Sequence, residues 1–225
     1  MLNQEPTEAG DCVLAWLSDA KAAGLVARWV TDADRVYAAG RSGGSLTALA
    51  ALRALLSHVT GRSDWIVVRA GSGKPSVRTA DGRDGPAVSL SHTAGLVAVA
   101  VARDGVVGID VERHRPRDFA ALADQAFGAA ERREVAAQEV SHGAPRGATA
   151  FYRIWTLREA MAKATGDGLA LVMNRTDLAD GVVSGRVHVR GQWGLLHRMA
   201  EPGYSLGLAW LGGRPGLVPR RVDLR

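Results

Sequence analysis

Two short stretches, about fifty residues apart, restrict this chain more than anything else in it. The first, Gly108-Ile109-Asp110-Val111-Glu112, closes an apolar run. The second is Trp155-Thr156-Leu157-Arg158-Glu159-Ala160, followed by Lys163, Gly166 and Gly168. On a strand, residues two apart share a face, so Asp110 and Glu112 lie on one side while Ile109 and Val111 face a core. On a helix, residues four apart form a row, so Trp155, Glu159 and Lys163 line up beside a buried stripe of Ile154, Leu157, Met161 and Ala164. Gly166 and Gly168 end that helix and let another backbone or a ligand come close. A fold that sets the strand end against the helix brings three carboxylates and one lysine into one site. That combination suits a magnesium ion holding a diphosphate.

Each stretch also has a bland reading. An arbitrary Asp-x-Glu at a strand end is more often a pair of solvated acids, and adjacent carboxylates repel unless a cation sits between them. A Glu–Lys pair four apart commonly stabilises a helix surface, by about 0.3–0.5 kcal/mol. Position favours the site: the acids follow an apolar strand and a glycine, and a tryptophan heads the helical row, which makes the row partly buried.

The 225 residues can bury one large core or two small ones. A formal net charge of +5 favours polyanionic partners such as nucleotides, nucleic acid or acidic proteins, and is equally compatible with plain solubility. The single cysteine, Cys12, cannot form an intramolecular disulfide, and no Cys/His cluster suggests zinc. The acidic, polar residues 1–11 do not read as a signal peptide, and no apolar run approaches the roughly 18 residues of a membrane span. The expected location is the cytoplasm.

Leucines at helical spacing predict a helix over 45–59, closed by Gly61. Strands are expected at 65–68, 88–92, 169–173, 185–189, 193–199 and 204–211. Residues 13–17 and 22–30 read as irregular apolar lead-in segments. The runs 96–102 and 106–112, joined by Arg103-Asp104-Gly105, read as a hairpin. A largely helical stretch over 117–138, with Phe119, Leu122, Phe127 and Val135 inward, precedes a flexible break at 141–147 and a second strong helix at 149–165. Each half thus runs from a long helix through a glycine turn to strands, with 97–102 and 205–210 as counterparts. The expected fold class is α+β, two similar α/β halves over 1–108 and 109–213, with a flexible tail at 214–225.

Two further elements bear on chemistry. Ser89-Leu90-Ser91-His92-Thr93 offers phosphate donors at a strand end, or else an ordinary capping cluster. A Ser-His-Asp hydrolase is disfavoured, because no Gly-x-Ser-x-Gly elbow occurs and Ser91 and His92 would diverge on a strand. Gly71-Ser72-Gly73-Lys74-Pro75 is half a phosphate loop, but Pro75 stands where a Walker motif needs Ser or Thr. A nucleotide groove with Lys74 at its rim remains open.

Gly73-Lys74-Pro75, Ser89-Leu90-Ser91-His92, Gly108-Ile109-Asp110-Val111-Glu112 and the Trp155 to Leu169 motif occur in series. In order and separation they resemble the surfactin-type 4'-phosphopantetheinyl transferases, strongly over residues 70–170 and loosely on the flanks. The resemblance implies a pseudo-dimer of two α/β halves with the active site between them. It implies magnesium-dependent transfer of phosphopantetheine from coenzyme A to a serine hydroxyl of an acyl or peptidyl carrier protein, releasing 3',5'-ADP. Asp110, Glu112 and Glu159 would hold Mg2+, and Lys163 would contact the diphosphate. Ser91 and His92 would meet phosphates of coenzyme A, with Lys74 and Pro75 by the adenine. Glu159 or a metal-bound water would take the serine proton, and Glu131 stands where some members have a further acid.

Two departures stand out. Arg158 replaces the usual lysine before the helix glutamate and keeps the charge, so a phosphate or carrier contact is expected of it. The arginine usual before the first long helix is missing, so Arg41, or Arg35 and Arg28, would serve the 3'-phosphate. The resemblance implies a monomer, and a small acidic helical carrier domain docking near residues 113–133, where 114–117 carry three basic residues. The rival readings are a catalytically silent coenzyme A-binding member, against which the intact Asp110, Glu112, Glu159 and Lys163 argue, and a basic nucleic-acid-binding protein or metal-dependent nuclease. Against the latter, the six tryptophans are scattered and no basic-aromatic stripe or helix-turn-helix pattern occurs.

Overall fold

The structure, a computed structural model, describes residues 12–40, 44–69, 73–168, 178–179, 184–213 and 217–224. It is α+β, with six helices and three sheets among these residues. The chain divides into two compact units: one gathers the described residues up to Val107 with those from Leu211 on, and the other is Gly108–Trp210. Among the described residues no helix is long and apolar enough to cross a membrane.

The first unit is built on β1 (Cys12–Ser18), where the sequence suggested an irregular lead-in. An unbroken apolar run without alternation suits a strand covered on both faces, and residues 12–17 are all buried. Next come α1 (Asp19–Trp29), with the Ser18 hydroxyl accepting from the Lys21 N–H, and α2 (Asp32–Ala38), opened by a Thr31/Asp34 capping box. The segment 22–30 is therefore helical rather than irregular. The expected leucine helix is α3 (Gly44–Thr60). β2 (Ile66–Arg69) and β3 (Pro75–Arg78) pair with each other, and β4 (Ala87–Thr93) and β5 (Leu96–Ala102) join β1 in an antiparallel sheet. Leu52, Leu55 and Leu56 of α3 pack with Val97, Val99 and Val101 in this unit's core. Arg53 is buried there too, its Nε 2.5 Å from Asp34 and its Nη1 donating to the Trp65 carbonyl at 2.7 Å. This accounts for the lone arginine inside an apolar helix: it ties α3 to α2 and to the start of β2.

The second unit starts within β6 (Val106–Arg113). β5 and β6 do not form the expected hairpin; they belong to different sheets. The Asp-Gly turn signal was real, since Gly105 has φ +77°, but here it separates two sheets. The helical stretch after it is two helices, α4 (Phe119–Ala126) and α5 (Ala129–His142), broken at Phe127-Gly128. The expected break at 141–147 narrows to Gly143, with φ +82°, before α6 (Ala144–Thr165). Pro145 is tolerated because the first turn of a helix has no use for its missing N–H. β7 (Val187–Arg190), β8 (Trp193–Glu201) and β9 (Tyr204–Leu211) complete a sheet of order β6-β9-β8-β7. The expected strand at 169–173 lies outside the described residues.

The expected flexible tail is corrected over residues 217–224. β10 (Arg220–Arg221) runs parallel to β1, the Val222 N–H donates to the Leu14 carbonyl at 2.9 Å, and the Arg221 guanidinium stands 3.8 Å from the Trp16 ring centroid. An open β1 edge is a pairing template, and Val222 and Leu224 pack against the first unit's core, apolar contacts that the segment's Gly/Pro content hid.

His197 on β8 is fully buried, and burial, then the nearby charges of Arg153 and His114, push it down to about 3. Between that value and the ordinary 6.5 or so, the unfolded chain binds the extra proton, so stability rises with pH. Stability should hold above about pH 6.5 and fall by up to about 1.4 kcal/mol per unit as the pH drops toward 3. Urea unfolding at pH 7, 6 and 5 should show a smaller decline in His197→Asn than in the parent.

Candidate functional site

The carboxylate cluster is built by a helix lying directly on two strands. A Cβ on Gly108 of β6 would overlap the Ala160 carbonyl oxygen and come within 2.6 Å of the Ala164 nitrogen. A Cβ on Gly207 of β9 would strike the Thr156 carbonyl and come within 2.7 Å of the Leu157 nitrogen. Two glycines thus let α6 rest on the sheet without side-chain spacers. Gly108, Asp110 and Glu112 alternate onto the same face of β6, and that face meets α6. Asp110 is accordingly buried, 4% exposed, which corrects the expectation that both acids point away from a core.

From Ala150 to Ala164 every residue of α6 is buried except Trp155, Glu159 and Lys163. These are the three residues that the sequence places in one row, and the stripe of Ile154, Leu157, Met161 and Ala164 beside it is buried as expected. The Lys163 Nζ lies 2.6 Å from Asp110 Oδ1. Glu112 is held above the usual carboxylate range by burial and the Asp110 charge, partly offset by Lys163 and a hydrogen bond from Trp155. Glu159 is likewise pushed up by burial and Asp110, and pulled back by Lys163. The four groups therefore feel one another, and the Lys163 ammonium acts on all three acids.

The donor set suits a hard cation. Among the described residues no three or more His, Cys, Asp or Glu side chains stand as a ready metal cage. Magnesium does not require one, because it keeps waters and substrate oxygens around one or two carboxylates. Glu112 and Glu159, raised by burial and then by the Asp110 charge, stand with Asp110 as oxygen donors of the kind Mg2+ takes.

Arg158, expected at a phosphate or a carrier, is instead 2% exposed and faces Glu131, its Nη2 at 2.6 and 2.7 Å from the two carboxylate oxygens. Glu131 also accepts from the Leu178 and Gly128 N–H groups. This pair ties α5 to α6 and to residue 178 and leaves Glu131 no part in the cluster. A single sequence gave no sign of it, because the partners lie 27 residues apart on different helices.

The remaining expected residues sit in the first unit. Ser91 is buried on β4, and the half-buried His92 ring packs on Gly44 at the start of α3, where a Cβ would lie 2.8 Å from Nε2. Lys74 precedes β3, which Pro75 opens, and burial pulls its amine below the usual lysine range. Arg41 lies outside the described residues. Of the basic segment after β6, Arg113, Arg115 and Arg117 are exposed, whereas the His114 ring is engaged within the unit.

Comparison with known proteins falls on this same region. Residues 106–195 match the family model described as the 4'-phosphopantetheinyl transferase superfamily. The chain is similar to the 4'-phosphopantetheinyl transferase AcpT of Salmonella typhi, 38% identical over 79 residues, 35% of this chain and 39% of that protein. It is 36% identical over 100 residues to psf-1 of Bacillus pumilus, and 36% identical over 101 residues to HetI of a Nostoc species. Each alignment covers 44% of this chain; it covers 39% of psf-1 and 40% of HetI. The chain thus spans about two fifths of the length of these relatives, and all are named 4'-phosphopantetheinyl transferases.

Proposed function

We propose that the protein transfers 4'-phosphopantetheine from coenzyme A to a serine hydroxyl of an acyl or peptidyl carrier protein. The observation that carries this reading is the Asp110–Lys163 pair flanked by Glu112 and Glu159, inside the segment that matches the superfamily. On this reading the two units, each with a four-stranded sheet and a long helix, are counterparts of the family's two similar halves.

Asp110, Glu112 and Glu159 would hold Mg2+, which supplies charge neutralisation at the diphosphate and the departing 3',5'-ADP. Lys163 donates to the diphosphate, exchanging its contact with Asp110 for a phosphate oxygen. Phosphoryl transfer asks chiefly for positioning and charge stabilisation, so the rigid seating of α6 on Gly108 and Gly207 is itself part of the catalytic equipment. Glu159, half-buried in the row of α6 that also carries Lys163, is the candidate base. Lys74, Pro75, Ser91, His92 and Arg41 are assigned to coenzyme A. The exposed Arg113, Arg115 and Arg117 are assigned to an acidic carrier domain.

The decisive experiment incubates the protein with coenzyme A, Mg2+ and an unmodified carrier domain and reads the carrier by intact mass. The carrier should gain one phosphopantetheine group, and only when Mg2+ is present. A carrier of unchanged mass across several carrier types would reject the reading.

A further inference from the structure

The strand–helix contact at the candidate site has a repeat. Asp110 meets Lys163, and Glu112 accepts from Trp155. Two residues further along the chain, His114 stacks on Tyr152 with ring centroids 4.4 Å apart and an interplanar angle of 7°. The α6 partners of residues 110, 112 and 114 are Lys163, Trp155 and Tyr152, so the strand and α6 run in opposite senses along this contact. The chain thus forms three rungs, the third between Tyr152 and the first residue of the basic segment 114–117.

The third rung is anchored more firmly than a lone stacked ring. The His114 N–H donates to the Gly203 carbonyl at 2.7 Å, and the Arg115 N–H donates to the Tyr152 hydroxyl at 3.1 Å. His114 Nε2 lies 2.8 Å from Ser205 Oγ, which in turn lies 3.2 Å from His197 Nε2. Ser205 and His197 are both fully buried. The Ser205 hydroxyl, with one proton and two lone pairs, also donates to Met199 Sδ at 3.8 Å. These contacts hold the imidazole flat against Tyr152.

We propose that His114, clamped by Ser205 and His197, is a positioning residue that sets the register of the Asp110/Glu112 strand against the Glu159/Lys163 row of α6. Its effect on turnover rests on the transferase reading; its effect on the Asp110–Lys163 contact does not. His114 touches none of the reacting groups and acts only through the two rungs that follow.

The test uses His114→Ala, Ser205→Ala and His114→Phe, the last keeping a stacking ring without its hydrogen bond. In carrier modification, His114→Ala should lower kcat about 10- to 100-fold with little change in KM for coenzyme A, as expected for misplaced reacting groups. His114→Phe should recover part of that loss. Independently of activity, the chain has three lysines, Lys21, Lys74 and Lys163. Limited acetylation mapped by peptide mass should modify Lys163 faster in His114→Ala and Ser205→Ala than in the parent, with Lys21 and Lys74 unchanged. If His114→Ala fails to fold, Ser205→Ala, which removes one hydroxyl, is judged by the same two readouts. Parental kcat together with parental Lys163 labelling in a folded variant would overturn the proposal. Should the parent transfer nothing to a carrier, the transferase reading fails and the Lys163 labelling still decides the register proposal.

Discussion

Replacing Gly108 with alanine is expected to cut carrier modification about 100-fold while costing about 1–3 kcal/mol of stability or more. The new methyl would occupy space held by the Ala160 carbonyl and the Ala164 nitrogen. Both obstacles are backbone, and a helix backbone cannot turn aside as a side chain can. Either α6 lifts off β6 or the strand bends away; in both cases the 2.6 Å contact of Lys163 with Asp110 opens. A matched control is Gly24→Ala in α1, where a Cβ meets nothing within 4 Å and φ is not positive. That change should leave activity intact and stabilise the fold by about 0.5–1 kcal/mol, as alanine does in a helix interior. Thermal melts and initial rates on the two variants separate the cases. Equal behaviour of Gly108→Ala and Gly24→Ala would mean that the close approach of α6 has no bearing on the site.

Periodicity made the α6 row legible because a helix buried nearly all round still shows which residues break the pattern. Trp155, Glu159 and Lys163, spaced by four, alone escape burial between Ala150 and Ala164. Strand alternation likewise put Asp110 and Glu112 on one face. It misjudged what covers that face, because Gly108 reads in a sequence as a site marker rather than as a seat for a helix. His114 and Tyr152 could have been found by extending both periods one step, from Glu112 by two and from Trp155 by three. Neither residue type announces itself, and the three basic residues around His114 suggested a docking surface instead.

The errors in the fold share a cause: local signals cannot tell which strand pairs with which. Asp104-Gly105 marks a bend between strands correctly, but the partners of β5 are β1 and β4, not the strand that follows. The apolar run of β1 lacked alternation because both its faces are covered, and this also disguised it as a lead-in. Arg53 and Arg158 were beyond reach for a related reason. A buried arginine is stable only with its partner, and Asp34 and Glu131 are 19 and 27 residues away. Breaking either pair by removing one member would leave an uncompensated buried charge.

The second large effect concerns Asp110 itself. Asp110→Asn keeps the shape of the side chain and removes its charge, so transfer should fall by roughly 100- to 1,000-fold, the scale of losing one preorganised electrostatic group. Lys163→Met should be as inactive, and it should also lose stability, because Asp110 is 4% exposed and would remain charged without its nearest cation. The side chain of Lys163 is 32% exposed, so solvent moderates that cost to about 1–3 kcal/mol. The double variant, Asp110→Asn with Lys163→Met, discriminates between a structural pair and a working one. Removing both charges relieves the unpaired carboxylate, so the double variant should regain most of the stability that Lys163→Met loses. Its activity should stay at the level of the single variants if, as proposed, Asp110 holds the metal and Lys163 donates to the diphosphate. Calorimetric titration with Mg2+ plus coenzyme A should show weakened binding in Asp110→Asn, which separates a lost cation site from a misfolded one. Recovery of activity together with stability in the double variant would reduce the Asp110–Lys163 contact to a structural tie and remove the chemical basis of the proposed reaction.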